Sequence, residues 1–200
     1  EELSFSILSE RSAGLSGADI ANIVNQSKMN AIKNNNEVNY LKEVDIQTAI
    51  DEVMIGREKR ERMLTTDELK RVAHHEAGHC LMGYMLKHTE HPIKVSIIPR
   101  GEAALGFSQQ KPTNKKLMVK EEILCRIGVL LGGRCAEKIM YGNESTGASD
   151  DIEKITTLVT RYTNNWGMHK DIGALNPLLM GHMGENLSQK IMNRCTDIVK

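Results

Sequence analysis

The sequence has few aromatic side chains and no excess of charge of either sign. Among 200 residues there are two Phe, four Tyr and one Trp, and 26 Lys and Arg balance 26 Asp and Glu. A chain without net charge offers no basic surface that would attract nucleic acid, and it implies no acidic partner either. We therefore expect no nucleic-acid partner for this protein.

Long hydrophobic runs and paired cysteines are also missing. The longest apolar stretches, such as IGVLLGG at 127–133, are much shorter than the roughly 20 residues of a membrane-spanning helix. Cys80, Cys125, Cys135 and Cys195 show no C-x-x-C spacing, which predicts buried or free thiols in a reducing compartment. Because the chain starts without Met and shows no signal peptide, we expect a fragment, with any membrane anchor outside it.

Apolar periodicity predicts a mainly α-helical chain with one small β-hairpin. In the first part, Ser16 is a good N-cap for a helix, and a second amphipathic helix follows through KEVDIQTAIDEVM at 42–54. We predict that residues 1–56 form a small helical unit and that the charge-dense residues 57–66 are a linker. The apolar faces of the two helices are predicted to contain Ile20, Ile23, Val24, Ala31, Val44, Ile46, Ala49, Ile50 and Val53.

The remaining chain, 67–200, is predicted to combine long helices with the hairpin. Thr65 and Glu68 have the spacing of a capping box, which opens a helix through about Leu86. The β-type runs IKVSIIP and ALGFSQQ, separated by the turn-rich RGEA, predict the hairpin. Further helices are predicted over 115–142, over 145–167, and from 187 to the end of the chain. Gly132-Gly133 is interpreted as a point where the first of these helices relaxes and as a site of close helix packing.

The segment VAHHEAGHCLMGY at 72–84 contains the pattern H-E-x-x-H. His75 and His79 are four residues apart, so a helix places them on one face about 5–6 Å apart, from where both imidazoles reach one metal ion. Glu76 projects about 100° around the helix, where its carboxylate can take a proton from a water molecule on the metal. The histidines share a stripe with Leu69 and Met82, which directs them into the core and favours a metal site.

A catalytic zinc needs a third protein ligand. The candidates are Asp150, Asp151, Glu137 and the remaining histidines. On the helix predicted over 145–167, Asp151 begins an apolar stripe, whereas Asp150 begins a polar one. An inward carboxylate at the head of an apolar stripe requires a cation, which makes Asp151 the better candidate. The apolar stripe continues through Ile155, Leu158 and Tyr162, and the polar one through Lys154, Thr157 and Arg161.

Five motifs in fixed order resemble the peptidase domain of the FtsH-type ATP-dependent zinc metalloproteases. They are VAHHEAGH, KVSIIPRG, ALGFSQ, LGGRCAEKIMYG and STGASDDI, while GLSGADIANIVNQS near the N terminus resembles the helical lid of the AAA ATPase module in the same family. PRGEAALGF and GASDD are most similar to the mitochondrial m-AAA type. The resemblance implies that His75, His79 and Asp151 bind one zinc ion and that Glu76 is the catalytic base.

The resemblance also implies an organisation and a setting. Residues 1–56 would be the AAA lid, 57–66 a linker, and 67–200 a zinc peptidase domain shortened at its C terminus. No G-x-x-x-x-G-K-[ST] loop occurs, so ATP would be bound only by an AAA core upstream. The family implies a membrane-anchored homo- or hetero-hexamer that degrades unfolded or membrane polypeptides, in the mitochondrial inner membrane or in a plastid or bacterial membrane.

Several residues depart from the family pattern or have other interpretations. His74 stands where an aromatic residue is usual, and we interpret it as a packing or surface variant. Lys138 replaces a second acidic residue, so Glu137 remains a conceivable third ligand, although we interpret it as a structural salt-bridge partner. The other histidines are expected to be solvated and to bind no second metal; they are His88, His91, His169 and His182.

Two functional alternatives stay open. The edge of the hairpin is predicted either to bind an extended peptide by strand addition or to take part in ordinary sheet pairing only. The whole chain is either a metalloendopeptidase or a catalytically silent scaffold of the same ring. Silent members of enzyme families usually lose a ligand or the base, whereas this chain keeps Glu76 and all three predicted ligands, so we favour the enzyme.

Overall fold

The computed structural model describes residues 5–35, 41–58, 64–100, 105–111, 115–174, 176 and 185–199. Over these residues the fold is mainly α-helical with a two-stranded sheet, as predicted. The chain divides into two compact units, Glu1–Glu76 with Glu90–Asn114, and Ala77–Thr89 with Lys115–Lys200. The first unit thus contains residues from all three predicted domain ranges, 1–56, 57–66 and 67–200. The predicted ranges stay a prediction.

The first unit begins with three helices around a small apolar core. They are α1 (Phe5–Arg11), which was not predicted, α2 (Gly17–Asn35) and α3 (Glu43–Met54). Ser16 caps α2 as predicted, because its Oγ accepts a hydrogen bond from the Asp19 backbone N–H at 3.3 Å, while the Asp19 carboxylate accepts from the Ser16 N–H at 2.9 Å. The core contains Ile23, Ala49 and Ile50, packed by Leu8, Leu15, Ile46 and Val53.

The predicted apolar face of these helices is wrong at three positions. Ile20, Val24 and Val44 are 46%, 43% and 60% exposed. The buried stripe of α2 is instead partly polar, and Ser27 within it satisfies its hydroxyl by donating to the Ile23 carbonyl at 2.7 Å. A hydroxyl that bonds back to its own helix can be buried in place of an apolar group. The buried residues of α2 are Ile23, Ser27, Asn30 and Ala31.

Helix α4 runs from Thr66 to Met85 and begins as predicted. The Thr65 N–H donates to Glu68 Oε2 at 2.8 Å, and the Glu68 N–H donates to Thr65 Oγ1 at 3.3 Å. These reciprocal bonds form a capping box. At the other end, the Thr89 hydroxyl lies 2.8 Å from the Gly83 carbonyl oxygen, which satisfies an acceptor in the last turn.

The hairpin is shorter than predicted. Strand β1 (Pro92–Ser96) pairs with β2 (Phe107–Gln110) in antiparallel register, with Ser96 opposite Phe107 and an irregularity between Pro92 and Lys94. Most of the predicted turn RGEA lies outside the described residues, because 101–104 are not among them. An isolated bridge joins Glu58 to Arg100.

The second unit contains α5 (Lys120–Tyr141), α6 (Ser149–Thr160) and α7 (Glu185–Val199). Helix α5 starts five residues later than predicted, where Glu122 Oε2 accepts the Val119 N–H at 2.8 Å, and it ends at Gly142, whose φ of 72° is left-handed. It continues as an α-helix through Gly132-Gly133. The core contains Ile123, Ile127, Ile155, Val159 and Tyr162.

The predicted helix over 145–167 consists of three parts. A 3₁₀ turn at Thr146–Ala148 precedes α6, and a π-helical turn at Arg161–Asn165 follows it.

The four cysteines are free thiols, as predicted. Among the described residues, no helix combines the length and apolarity that a membrane span requires.

Candidate metal centre

The three predicted residues of the H-E-x-x-H pattern are buried within α4. His75 is 8% exposed, Glu76 7% and His79 7%. Because all three belong to one helical turn, the helix itself fixes their spacing, with the histidines on one face and Glu76 beside them. The inward orientation that the apolar stripe predicted is therefore confirmed.

Helices α4 and α5 touch through their backbones next to His79. A Cβ atom added to Gly78 would lie 2.2 Å from the Gly132 carbonyl oxygen, and one added to Gly132 would lie 2.6 Å from the Gly78 carbonyl oxygen. No side chain fits at either position, so both glycines are required for the approach. This contact brings α5 close enough for its Val129 carbonyl oxygen to lie 2.8 Å from His79 Nδ1.

The Val129 carbonyl determines how His79 can bind a metal. A carbonyl oxygen only accepts hydrogen bonds, so the proton of the neutral His79 ring is on Nδ1. The other ring nitrogen, Nε2, then has the lone pair that can bind a metal. Nε2 lies 3.2 Å from Asp151 Oδ2. A backbone carbonyl on the far nitrogen is the usual partner that orients a metal-binding imidazole.

The two neighbouring aspartates of α6 lie in different environments. The Asp151 side chain is 14% exposed and faces His79. The Asp150 side chain is 73% exposed and pairs with Lys154 in solvent. The orientation predicted from the two stripes of the helix is confirmed, because the carboxylate at the head of the apolar stripe is the inward one.

His75, His79 and Asp151 together form a cluster with the donor atoms that zinc prefers. One ligand atom from each lies within 4.8 Å of the others. The ligands of a tetrahedral zinc ion lie roughly 3.3 Å apart, as follows from bond lengths of about 2.0–2.1 Å. Two imidazole nitrogens and one carboxylate oxygen at this spacing therefore fit a zinc ion with small side-chain adjustments, and such a set leaves a fourth position open.

The hairpin approaches Glu76 at Gly106. A Cβ atom at Gly106 would lie 2.9 Å from both Cγ and Oε1 of Glu76, and equally close to the Ser96 carbonyl oxygen. Only a glycine therefore fits between the end of β1 and the carboxylate. As a result, the strand backbone lies directly beside the predicted base.

Glu137 lies outside the cluster of potential ligands. It is 1% exposed, and its Oε2 accepts the backbone N–H of Ser145 at 2.9 Å. That bond anchors the loop from which α6 and Asp151 begin. The neighbouring Lys138 pairs instead with Glu144, at 3.7 Å.

The other histidines that the structure describes do not join the cluster. Nδ1 of His74 lies 2.8 Å from the Lys70 carbonyl oxygen of its own helix. His169 packs edge-to-face against Tyr162 with ring centres 6.4 Å apart. His88 and His91 are exposed, and His182 lies outside the described residues.

Sequence reasoning missed the backbone groups around the site. The Val129 carbonyl has no sequence signature, because every residue carries one. Gly78 and Gly106 did carry a signal, since glycine within a helix or strand often marks the close approach of another backbone.

Two family models match this sequence. The model of peptidase family M41 matches residues 62–196, and that of the AAA+ lid domain matches residues 2–48. We refer to α1, α2 and α3 as the lid helices, because this second match covers α1, α2 and the first half of α3.

Two similar proteins come from bacteria. The chain is 37% identical over 185 residues to the ATP-dependent zinc metalloprotease FtsH of Rhodothermus marinus, covering 92% of this chain and 26% of that protein. It is 39% identical over 204 residues to FtsH of Burkholderia pseudomallei, covering 96% and 30%. The chain thus spans less than a third of the length of these two relatives. Since the M41 model matches more than half of its residues, the chain belongs to peptidase family M41.

Proposed function

We propose that this chain is the peptidase part of an ATP-dependent zinc metalloendopeptidase. The observation that carries the proposal is the cluster of His75, His79 and Asp151, with Glu76 on the same helical turn. The names of the relatives, which are zinc metalloproteases, support the same metal and the same reaction.

In this proposal, different residues of the site bind the metal and transfer the proton. His75, His79 and Asp151 would hold the zinc ion, which when bound polarises the scissile carbonyl and lowers the pKa of water. Glu76 would accept the proton of the attacking water and deliver it to the leaving amine. Its burial beside the hairpin keeps bulk water from competing for that proton.

We propose further that the substrate peptide binds along the edge of the hairpin. Gly106 brings the strand backbone against Glu76, so a peptide added to this sheet edge would run past the base. Strand addition holds a substrate through its main chain, which suits unfolded polypeptides of varied sequence. Of the two roles left open for this edge, the contact at Gly106 favours peptide binding.

The setting of the peptidase is also a proposal. The match to an AAA+ lid supports a ring-forming ATPase module upstream of this chain, with ATP bound there. We propose a membrane-anchored hexamer, homo- or hetero-oligomeric, that takes unfolded or membrane polypeptides. The motifs PRGEAALGF and GASDD favour the mitochondrial inner membrane.

Zinc content tests the proposal before any activity assay. We expect about one zinc per chain in the purified protein, and much less in Asp151→Ala. Asp150→Ala is the matched control, because it removes a neighbouring carboxylate that points into solvent. If the protein bound no zinc after exposure to excess metal at neutral pH, the silent scaffold would be the better hypothesis. If Asp151→Ala kept its zinc, Glu137 would become the candidate third ligand.

A further inference from the structure

A buried ionic cluster lies in the first unit, among residues that have no part in holding the metal. Its centre is Asp51 of α3, whose Oδ1 accepts a hydrogen bond from Arg11 Nη2. Lys94 Nζ lies 2.7 Å and Arg100 Nη2 3.2 Å from the other carboxylate oxygen. The side chains of Asp51, Arg11 and Arg100 are 4%, 3% and 5% exposed.

This cluster joins the lid helices to the hairpin. Arg11 ends α1 and Asp51 lies on α3, whereas Lys94 belongs to β1 and Arg100 follows it. On β2, Gln109 Nε2 donates to the Arg11 carbonyl oxygen at 3.2 Å. Arg11 of α1, Lys94 of β1 and Arg100 therefore meet at one carboxylate of α3, and Gln109 ties β2 to Arg11.

Among the described residues, the charge in the cluster is unbalanced. Three cations surround one carboxylate, and Arg11 Nη1, Arg100 Nε and Arg100 Nη1 are buried without a hydrogen-bond partner in the part of the chain that the structure describes. Buried ion pairs of this kind are often no more stabilising than apolar side chains of the same size. The cluster instead defines the position of the hairpin on α3. Lys94 and Arg100 can both reach the Asp51 carboxylate only when the hairpin is placed in one way.

The hairpin, in turn, lies against Glu76. Gly106 directly precedes β2, and no side chain would fit between its Cα and the Glu76 carboxylate. A movement of the hairpin would therefore act directly on the Glu76 carboxylate.

We propose that Asp51 is a positioning residue, which fixes the hairpin to the lid helices and so sets the peptide-binding edge relative to Glu76. This inference rests on the proposed function for its catalytic meaning, and it adds a means of regulation. A movement of α3 would be transmitted through Lys94 and Arg100 to the place where the substrate binds.

A second ion pair between the same parts of the chain provides a matched control. Glu10 of α1 pairs with Lys111, directly after β2, at 2.8 Å. Its two side chains are 47% and 50% exposed, so the pair is screened by solvent and contributes little. Glu10→Gln and Asp51→Asn thus remove one lid carboxylate each, one from solvent and one from the buried cluster.

Hydrogen exchange of the backbone amides tests the proposal in this chain. In Asp51→Asn we expect the amides of β1 and β2 to exchange at least about tenfold faster, because a buried partner is lost. Glu10→Gln should change the same amides less than about fivefold. The amides of α5 and α6 should exchange as in the wild type in both variants.

A charge exchange within the cluster distinguishes positioning from general stability. Asp51→Lys combined with Lys94→Asp keeps one carboxylate among three cations, so it should restore slow exchange in the hairpin even if Asp51→Asn does not fold. The proposal is overturned if this double variant leaves the hairpin unprotected or unfolded, or if Asp51→Asn behaves like Glu10→Gln. Faster exchange throughout α2 and α3 would also overturn it, because Asp51 would then hold only the lid. Hydrogen exchange can be measured whether or not the protein is catalytically active. The proposed function is tested separately by zinc content, so the two proposals can fail independently.

Discussion

At the scale of single residues, one turn of α4 carries the side chains that we propose for metal binding and for proton transfer. His75 and His79 would supply nitrogen ligands, and Glu76 lies between them in sequence but on a different side of the helix. The carboxylate therefore need not bind the metal in order to act next to it. Binding and chemistry should accordingly respond to different substitutions.

Glu76→Gln should separate the two roles. The amide keeps the size of the side chain but cannot accept the proton of the attacking water, so we expect zinc content to stay the same and peptide hydrolysis to fall at least about a hundredfold. Metal analysis and a peptide-cleavage assay on the same preparation would check this. Loss of the metal in this variant would show that Glu76 is a ligand and that the roles are misassigned.

The cluster of candidate ligands was predictable from sequence for a physical reason. The i, i+4 spacing of His75 and His79 and the stripe of Asp151 are local properties of helices. Contacts between distant segments leave no such pattern. The bond from His79 to the Val129 carbonyl joins residues 50 positions apart and uses a backbone atom, so no local spacing could indicate it.

At the scale of elements, the crossing of α4 and α5 positions His79, one of the proposed metal ligands. Gly132→Ala should push the helices apart, because the new methyl group would lie 2.6 Å from the Gly78 carbonyl oxygen. We expect a loss of about 1–3 kcal/mol in the free energy of unfolding. Zinc affinity should fall about 10–100-fold, as Val129 no longer orients His79. Chemical denaturation and zinc titration measure the two effects.

Gly128→Ala is the matched control one turn earlier on α5. There the added Cβ would lie 3.2 Å and 3.7 Å from the ends of the flexible Leu86 and Met82 side chains, which can move aside. We expect unchanged zinc affinity and equal or greater stability, since alanine favours a helix over glycine. Equal zinc affinities for both variants would contradict a positioning role for the crossing.

The stabilisation that the capping box gives to the start of α4 should depend on pH. Hydrogen bonds from the Thr65 backbone and hydroxyl hold the pKa of Glu68 below its usual 4.5. A lowered pKa in the folded state stabilises the protein above pH 4.5, and this contribution is lost as the pH falls through the lowered value. Thr65→Ala should therefore reduce the melting temperature more at pH 7 than at about pH 3. Thr66→Ala should show no such difference, and an equal effect of Thr65→Ala at both pH values would contradict this account.

At the scale of the whole molecule, the kind of fold was predictable but the grouping of its parts was not. Periodicity indicated helices and one hairpin, because those patterns repeat over a few residues. The hairpin belongs to the same compact unit as the lid helices, and Asp51 joins the two through Lys94 and Arg100. Such long-range charge pairing is invisible to periodicity.

Zinc should stabilise the folded chain as a whole. A ligand that binds only the folded state at a hundred times its dissociation constant adds about 2.7 kcal/mol to the free energy of unfolding. We therefore expect zinc to raise the melting temperature of the wild type and of Asp150→Ala, but not that of Asp151→Ala. Differential scanning calorimetry with and without the metal measures this, and an equal rise in Asp151→Ala would contradict the three-ligand site.

The backbone contact between Gly78 and Gly132 also limits how the protein can be redesigned. Neither glycine supplies a group to the reaction, yet a library that varied these two positions would return almost entirely inactive clones. Specificity should instead be sought on the hairpin, where β1 offers partly exposed side chains such as Val95, which is 45% exposed. Substitutions there leave the helix crossing intact, so the proposed metal ligands would keep their geometry while the proposed peptide-binding surface changes.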